Sequence, residues 1–138
     1  MSIIYPIFAL VLLTFAVCFG VGMARLISVQ KRQVSPKYYK LLSGYTPPDY
    51  VVKLGRNFDN LLEVPVLFYL LGVLMIALNL SSAFILNLAW AFVVFRLIHT
   101  LIHITYNTPT HRFLAYLVSC TILLVMWIEF IMIIGQQG

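Results

Sequence analysis

The side chains of this sequence that could do chemistry are concentrated in three short patterns inside apolar stretches. The patterns are Arg56-x3-Asn60-x2-Glu63, Arg96-x2-His99-x3-His103 and Arg112-x3-Tyr116. Helical residues three, four or seven positions apart lie on one face, so each pattern predicts a polar stripe along a helix. Ionisable side chains at membrane depth are costly and commonly mark a functional site. The three patterns therefore predict one polar site within an apolar protein.

The composition is that of a protein embedded in a lipid bilayer. Of the 138 residues, 62% are hydrophobic and only 9% are charged, and the mean hydropathy is +1.00. A soluble domain of this size could not bury so much apolar surface. The first apolar run follows no charged segment and precedes no small-residue cleavage site, so we expect it to be retained rather than removed as a signal peptide.

Four apolar runs are long enough to cross the hydrocarbon as helices, which takes about 20 residues. The predicted spans cover residues 7–27, 57–80, 83–106 and 112–134 of a single domain, 1–138. Pro47-Pro48, Ser81-Ser82 and Asn107-Thr108-Pro109 lie between them as breakers. Alternation with a period of two is missing, which disfavours a barrel. The sequence predicts an all-α, four-helix integral membrane bundle.

The lysines and arginines predict the orientation of these spans. Loops 28–55 and 107–111 must lie on the same side, and most basic residues lie in or beside them. The positive-inside rule places both loops in the cytoplasm and both termini on the opposite side. Nucleic-acid binding is not expected, because no folded polar surface with base-stacking aromatics is present.

Helix geometry predicts an ion pair between Glu63 and Arg96. At about 1.5 Å per residue, the two side chains lie about 10 and 15 Å below the cytoplasmic ends of their spans. A lone buried charge at such a depth costs several kcal/mol, so pairing is expected. In the simplest alternative, this pair only holds two helices together.

The remaining polar residues predict a cationic, donor-rich cavity at the cytoplasmic ends of the helices. They are Arg25, Arg56, Asn60, His99, His103, Arg112 and Tyr116. Arginine forks bind carboxylates in a bidentate manner, so an anion with several carboxylates would suit this cavity. A thiol bound beside such positive charge would ionise more readily.

With these motifs, nearly the whole chain resembles the MAPEG family, the membrane-associated proteins in eicosanoid and glutathione metabolism. The likeness rests on the four spans, Arg25 at the end of the first, the second-span motif followed by Pro65, and the motifs of the third and fourth spans. It implies a homotrimer with glutathione, the co-substrate, bound between neighbouring subunits. The likeness is to a bacterial-type member, which implies a bacterial inner membrane as the location. The implied glutathione contacts are Arg25, Arg56, Asn60, Glu63, His99, His103, Arg112 and Tyr116, with Arg112 as the catalytic residue that stabilises the thiolate. At the His103 contact the sequence departs from many members, which have tyrosine there. Phe113 stands where the prostaglandin-synthase branch has serine, so the isomerase chemistry of that branch is not indicated.

Two classes of function follow. The first is a membrane-embedded glutathione-dependent transferase or peroxidase, with a lipophilic electrophile that enters from the bilayer as the second substrate. The alternative is a non-catalytic membrane scaffold or accessory protein with the same fold. A transporter ranks last, because discontinuous or repeated helices are missing. A metal site could be formed by His99 and His103 with Glu63 or His111. The pattern indicates it only weakly because no second paired motif accompanies the two histidines, and no metal is expected.

Overall fold

The computed structural model describes residues 2–137, which form six helices and no strand. The helices are α1 (Ile4–Gln30), α2 (Tyr38–Leu41), α3 (Asp49–Leu62), α4 (Pro65–Ala77), α5 (Ala83–Ile104) and α6 (Pro109–Gln137). Four helical stretches are long and apolar enough to cross a membrane: α1, α3 with α4, α5 and α6. The predicted all-α membrane bundle is confirmed.

The second span differs most from its predicted boundaries, because its helix begins at Asp49 rather than near residue 57. Pro48 precedes α3, and Asp49 places a carboxylate in its first turn, where the helix dipole favours negative charge. The second span therefore consists of a polar first half, α3, and an apolar second half, α4.

A break separates α3 from α4 at Glu63. Pro65 has no N–H to donate to the Leu61 carbonyl, and its ring would collide with that carbonyl if the helix continued unbroken. Glu63 accordingly leaves the helical region, with φ −84° and ψ −96°, and Pro65 begins α4. The break leaves carbonyl groups in the last turn of α3 free to accept hydrogen bonds from elsewhere.

The apolar core lies between the antiparallel helices. Phe68 of α4 stacks on Phe92 of α5 at a ring-centroid distance of 4.8 Å, and both side chains are fully buried. Gly72 lets α1 approach α4 closely, since a Cβ at this position would collide with the Ile7 side chain. This packing holds α4 and α5 together beneath the polar residues of α3.

Residues with positive φ shape the connections between the helices. Arg32 (φ 55°) follows α1, Asn79 (φ 51°) lies before α5, and Asn107 (φ 52°) lies before α6. The Ser82 hydroxyl then caps α5 by accepting from the Ile85 N–H at 3.3 Å. These connections set where the ends of α5 and α6 meet.

Candidate functional site

A polar seam fixes the register of α3 against α5. Asn57 and Thr100 are both buried, and the Thr100 hydroxyl donates to Asn57 Oδ1 at 3.3 Å. One turn deeper, the Arg96 guanidinium donates to the main-chain carbonyl of Asn60. Among the described residues, Asn57 Nδ2 and the Nε and Nη1 atoms of Arg96 are buried without a partner. Sliding the two helices past each other would also break the two hydrogen bonds of the seam and leave further buried polar groups unpaired.

Arg96 has a different partner from the one predicted. Its side chain is fully buried, and in residues 2–137 it bonds the Asn60 carbonyl instead of forming an ion pair with Glu63. The physical reason is the helix break, which turns Glu63 to the exposed surface and leaves Asn60 in the last turn of α3. A guanidinium at a helix C-terminus is favoured by the helix dipole and by the free carbonyls there.

His99 ties α5 to the first turn of α6. Its Nδ1 lies 3.0 Å from the main-chain oxygen of Arg112, and since a carbonyl can only accept, Nδ1 carries the hydrogen. The His99 ring lies 5.7 Å from that of His103 and 6.1 Å from that of Tyr116. The first turn of α6, which carries Arg112, is therefore held by a buried side chain of α5.

The first of two cavities at this end of the bundle, which we name the Arg112 cavity, has a volume of about 200 Å³. Its lining consists of Asn60, Glu63, His99, Pro109, Arg112, Phe113 and Tyr116. Arg112 is half-buried, and its Nη1 donates to Asn107 Oδ1 at 2.9 Å. The guanidinium is thus oriented by a side chain from the turn that precedes α6.

Asn107 is a site residue that the sequence reasoning missed, since it was taken only as a breaker between two spans. It combines a left-handed backbone with an amide oxygen that reaches Arg112. Asparagine is one of the few residues that tolerate this conformation. An asparagine shortly before a predicted helix was therefore the sequence feature that could have identified this residue. No spacing rule would have paired it with Arg112.

The second cavity, the Arg25 cavity, has a volume of about 240 Å³ and lies between α1, α3 and the loop that joins them. Its polar lining includes Arg25, Arg56 and Asp59. The Arg25 guanidinium lies 5.5 Å from the centre of the Tyr39 ring, within range of a cation–π contact. Tyr39 is itself held by the Ser28 hydroxyl at 2.7 Å.

The predicted glutathione-binding residues are therefore divided between two cavities of the chain. Arg25 and Arg56 line the second. The first brings together Asn60, Glu63, His99, Arg112 and Tyr116. His103 is almost fully buried and lines neither of these cavities.

The lining of the Arg112 cavity offers both hydrogen-bond donors and hydrogen-bond acceptors. Arg112 and Tyr116 can donate, and the exposed carboxylate of Glu63 can accept or pair with a cation. Within the described part of the chain, the buried Asn60 Oδ1 and His99 Nε2 have no hydrogen-bond partner. Such groups are suited to an amide N–H or a hydroxyl of a ligand, because an unpaired buried acceptor is unfavourable.

The described residues contain no cluster of three or more His, Cys, Asp or Glu side chains that could hold a metal ion. The polar groups of the site are instead arginines, amides, imidazoles and a phenol, which suit an organic anion.

The family model described as MAPEG family matches residues 3–132, which include the lining of both cavities. No curated protein and no solved structure matches the chain significantly.

Proposed function

This chain belongs to the MAPEG family, the membrane proteins of eicosanoid and glutathione metabolism, and from that premise we propose that it is a glutathione-dependent transferase or peroxidase acting on lipophilic electrophiles. The observation that carries the proposal is the Arg112 cavity. In it, a guanidinium oriented by Asn107 lies beside the Tyr116 phenol and the Glu63 carboxylate.

The donors and acceptors of the two cavities match the groups of glutathione. Its two carboxylates suit arginine forks, its ammonium suits Glu63, and its amide N–H groups suit Asn60 Oδ1. Each cavity alone is smaller than the roughly 300–1,000 Å³ of ordinary ligand pockets. We infer that the Arg112 cavity of one subunit and the Arg25 cavity of its neighbour together form one glutathione site.

A charged face on α3 supports the proposed homotrimer. Arg56, Asp59 and Glu63 are all exposed on the protomer, and they lie in the polar half of the second span. Ionised side chains deep in hydrocarbon cost about 2.5–3.5 kcal/mol each on insertion scales, so this face favours protein or water over lipid. Neighbouring subunits would cover it and would bring Arg25 and Arg56 to the next protomer's Arg112.

In the proposed reaction, Arg112 stabilises the glutathione thiolate. A positive charge beside the sulfur lowers the pKa of the thiol and raises the fraction of nucleophile at neutral pH. Asn107 keeps the guanidinium in place, so little reorganisation is needed as charge develops on the sulfur. In the transferase reaction the thiol releases its proton to water, and the thiolate sulfur forms a bond to an electrophilic carbon, whose leaving group departs with the bonding electrons. Tyr116 can donate a hydrogen bond to the sulfur or to that group.

The second substrate would enter from the bilayer. Phe113 lines the Arg112 cavity and is 59% exposed, and Leu114 and Leu117 on the same helix are exposed beside it. An apolar molecule could therefore reach the sulfur without leaving the hydrocarbon. We place this end of the bundle in the cytoplasm, following the basic residues of the first loop.

A non-catalytic scaffold is the second candidate, and the seam between α3 and α5 favours it. Arg96, Asn57 and Thr100 are buried polar residues whose contacts are explained by helix packing alone. If all polar residues acted in this way, Arg112 would only hold the end of α6.

Thiolate absorbance separates the two candidates. Glutathione added to the purified protein should give an ultraviolet thiolate band and conjugation of a lipophilic aryl halide. Arg112→Ala should lose both while keeping its helical content and oligomeric state. Lys31→Ala, which removes one exposed positive charge outside both cavities, is the matched control and should keep both. An Arg112→Ala protein with unchanged band and turnover, or a parent protein that binds no glutathione at millimolar concentration, would contradict the enzyme proposal.

A further inference from the structure

We propose that the segment joining α1 to α3 carries a binding surface for anionic phospholipid headgroups. The loop surface is defined by the exposed residues Arg32, Lys37, Lys40, Leu41, Leu42 and Tyr45. It combines clustered positive charge with apolar side chains that the protomer leaves uncovered. It lies outside the Arg112 cavity, and of its residues only Leu42 also lines the Arg25 cavity.

The inner side of this segment is anchored to the bundle, so the outer side has a fixed orientation. Val34 and Tyr38 are buried. The main-chain N–H groups of Gln33 and Val34 both donate to the Ser28 carbonyl at the end of α1. Farther along, the Tyr50 hydroxyl donates to Gln33 Oε1 at 2.6 Å. The segment is therefore a packed element with two distinct faces rather than a solvated linker.

The outer side is apolar at its tip. Leu41 is 83% exposed and Leu42 is 61% exposed. Leu42 also has a left-handed backbone (φ 52°), a conformation in which glycine would be favoured. Leucines exposed to water in this way are unfavourable, whereas at a membrane interface they can insert among the acyl chains.

The charge around this tip is of one sign. Residues 31–48 contain four lysines and arginines and no aspartate or glutamate. Lys37 and Lys40 lie in or next to α2, directly before the two leucines. Basic side chains beside inserted apolar ones form the usual interfacial site for anionic lipids, since the cations bind headgroup phosphates.

The length of α1 places the loop surface at the headgroup layer. Twenty-seven residues span about 40 Å at about 1.5 Å per residue, close to the thickness of a bilayer with its headgroups. A chain that leaves the helix after Gln30 is thus at the membrane surface, and its cations need no further movement to reach phosphate groups. This position favours a lipid over a soluble protein partner.

The depth of the tip can be measured with Leu41→Trp in bilayers that contain an anionic lipid. Emission from the new tryptophan, obtained by subtracting the parent protein with its own Trp90 and Trp127, should be blue-shifted and quenched by brominated acyl chains. Emission typical of water, quenched by iodide and not by bromolipid, would overturn the proposal. The side chain at position 41 is exposed, so the substitution changes no packed contact.

Lipid selectivity tests the charges. Detergent-solubilised protein titrated with phosphatidylglycerol or phosphatidylcholine, and followed by native mass spectrometry, should prefer the anionic lipid. Lys40→Ser should weaken phosphatidylglycerol binding by about fivefold, the effect of about 1 kcal/mol per cation near an anionic surface. Lys53→Gln removes the same charge elsewhere and keeps a donor for the Thr105 carbonyl, which the parent Lys53 bonds at 3.2 Å. It should bind like the parent. Equal losses in both variants, no lipid preference, or full displacement of lipid by millimolar inorganic phosphate would each overturn the proposal.

Discussion

The hydrogen bond between Asn107 and Arg112 gives the most specific prediction about the proposed catalytic residue. Asn107→Gly removes the amide oxygen that Arg112 Nη1 bonds at 2.9 Å, while glycine keeps the left-handed backbone at no steric cost. A hydrogen bond to a charged group contributes about 1.5–3 kcal/mol, and we take about 1–1.4 kcal/mol here because the site is only half-buried. With Arg112 less well oriented, kcat/KM for glutathione conjugation should fall about five- to tenfold.

Asn107→Ala separates the backbone contribution from that of the side chain. It loses the same hydrogen bond and also places a Cβ in the left-handed region, which costs about 1–2 kcal/mol more. Both variants should therefore show the same loss of kcat/KM, but Asn107→Ala should unfold at a clearly lower temperature in detergent than Asn107→Gly. Parent-like kcat/KM in Asn107→Gly, together with an inactive Arg112→Ala, would refute the idea that Asn107 orients the catalytic guanidinium.

Other predictions concern the helix packing that positions the site. Thr100→Val keeps the side-chain shape but removes the donor to the buried Asn57, so the free energy of unfolding should fall by about 1–2 kcal/mol in a denaturant titration. Gly72→Val places atoms where the Ile7 side chain lies, and it should cost about 1–3 kcal/mol, part of which Ile7→Ala should restore in the double variant. A Cβ at Gly22 meets no atom within 4 Å. Gly22→Ala should therefore be neutral or stabilising by up to about 1 kcal/mol, and a loss as large as that of Gly72→Val would contradict the packing described.

The apolar runs and the polar stripes could be predicted from the sequence because both follow from local periodicity. The number of spans needs only length and hydropathy, and Asn60 and Glu63 fall in one cavity because helical spacing puts them near each other. The start of α3 at Asp49 was missed, because residues 49–56 are too polar to resemble a membrane span. Apolar content alone therefore underestimates amphipathic extensions of a transmembrane helix.

The partners of the arginines could not be predicted from spacing. Arg96 bonds the main-chain carbonyl of Asn60, which lies in the last turn of α3 where the helix ends. The Arg112 partner comes from a turn whose left-handed residue brings an amide oxygen back over the helix. Both contacts depend on backbone geometry that a list of charged residues does not contain. The division of the predicted glutathione-binding residues between two cavities likewise depends on helix packing, since α6 packs mainly on α5 and α1 mainly on α3.

The most direct measurement is a structure of the purified protein determined with saturating glutathione. Our account predicts that the sulfur lies within hydrogen-bond distance of the Arg112 guanidinium. It also predicts that a glutathione carboxylate contacts Arg25 or Arg56 of a neighbouring subunit in a trimer. Glutathione bound with its sulfur away from Arg112, or a saturated protein with no ligand density in the Arg112 cavity, would contradict it.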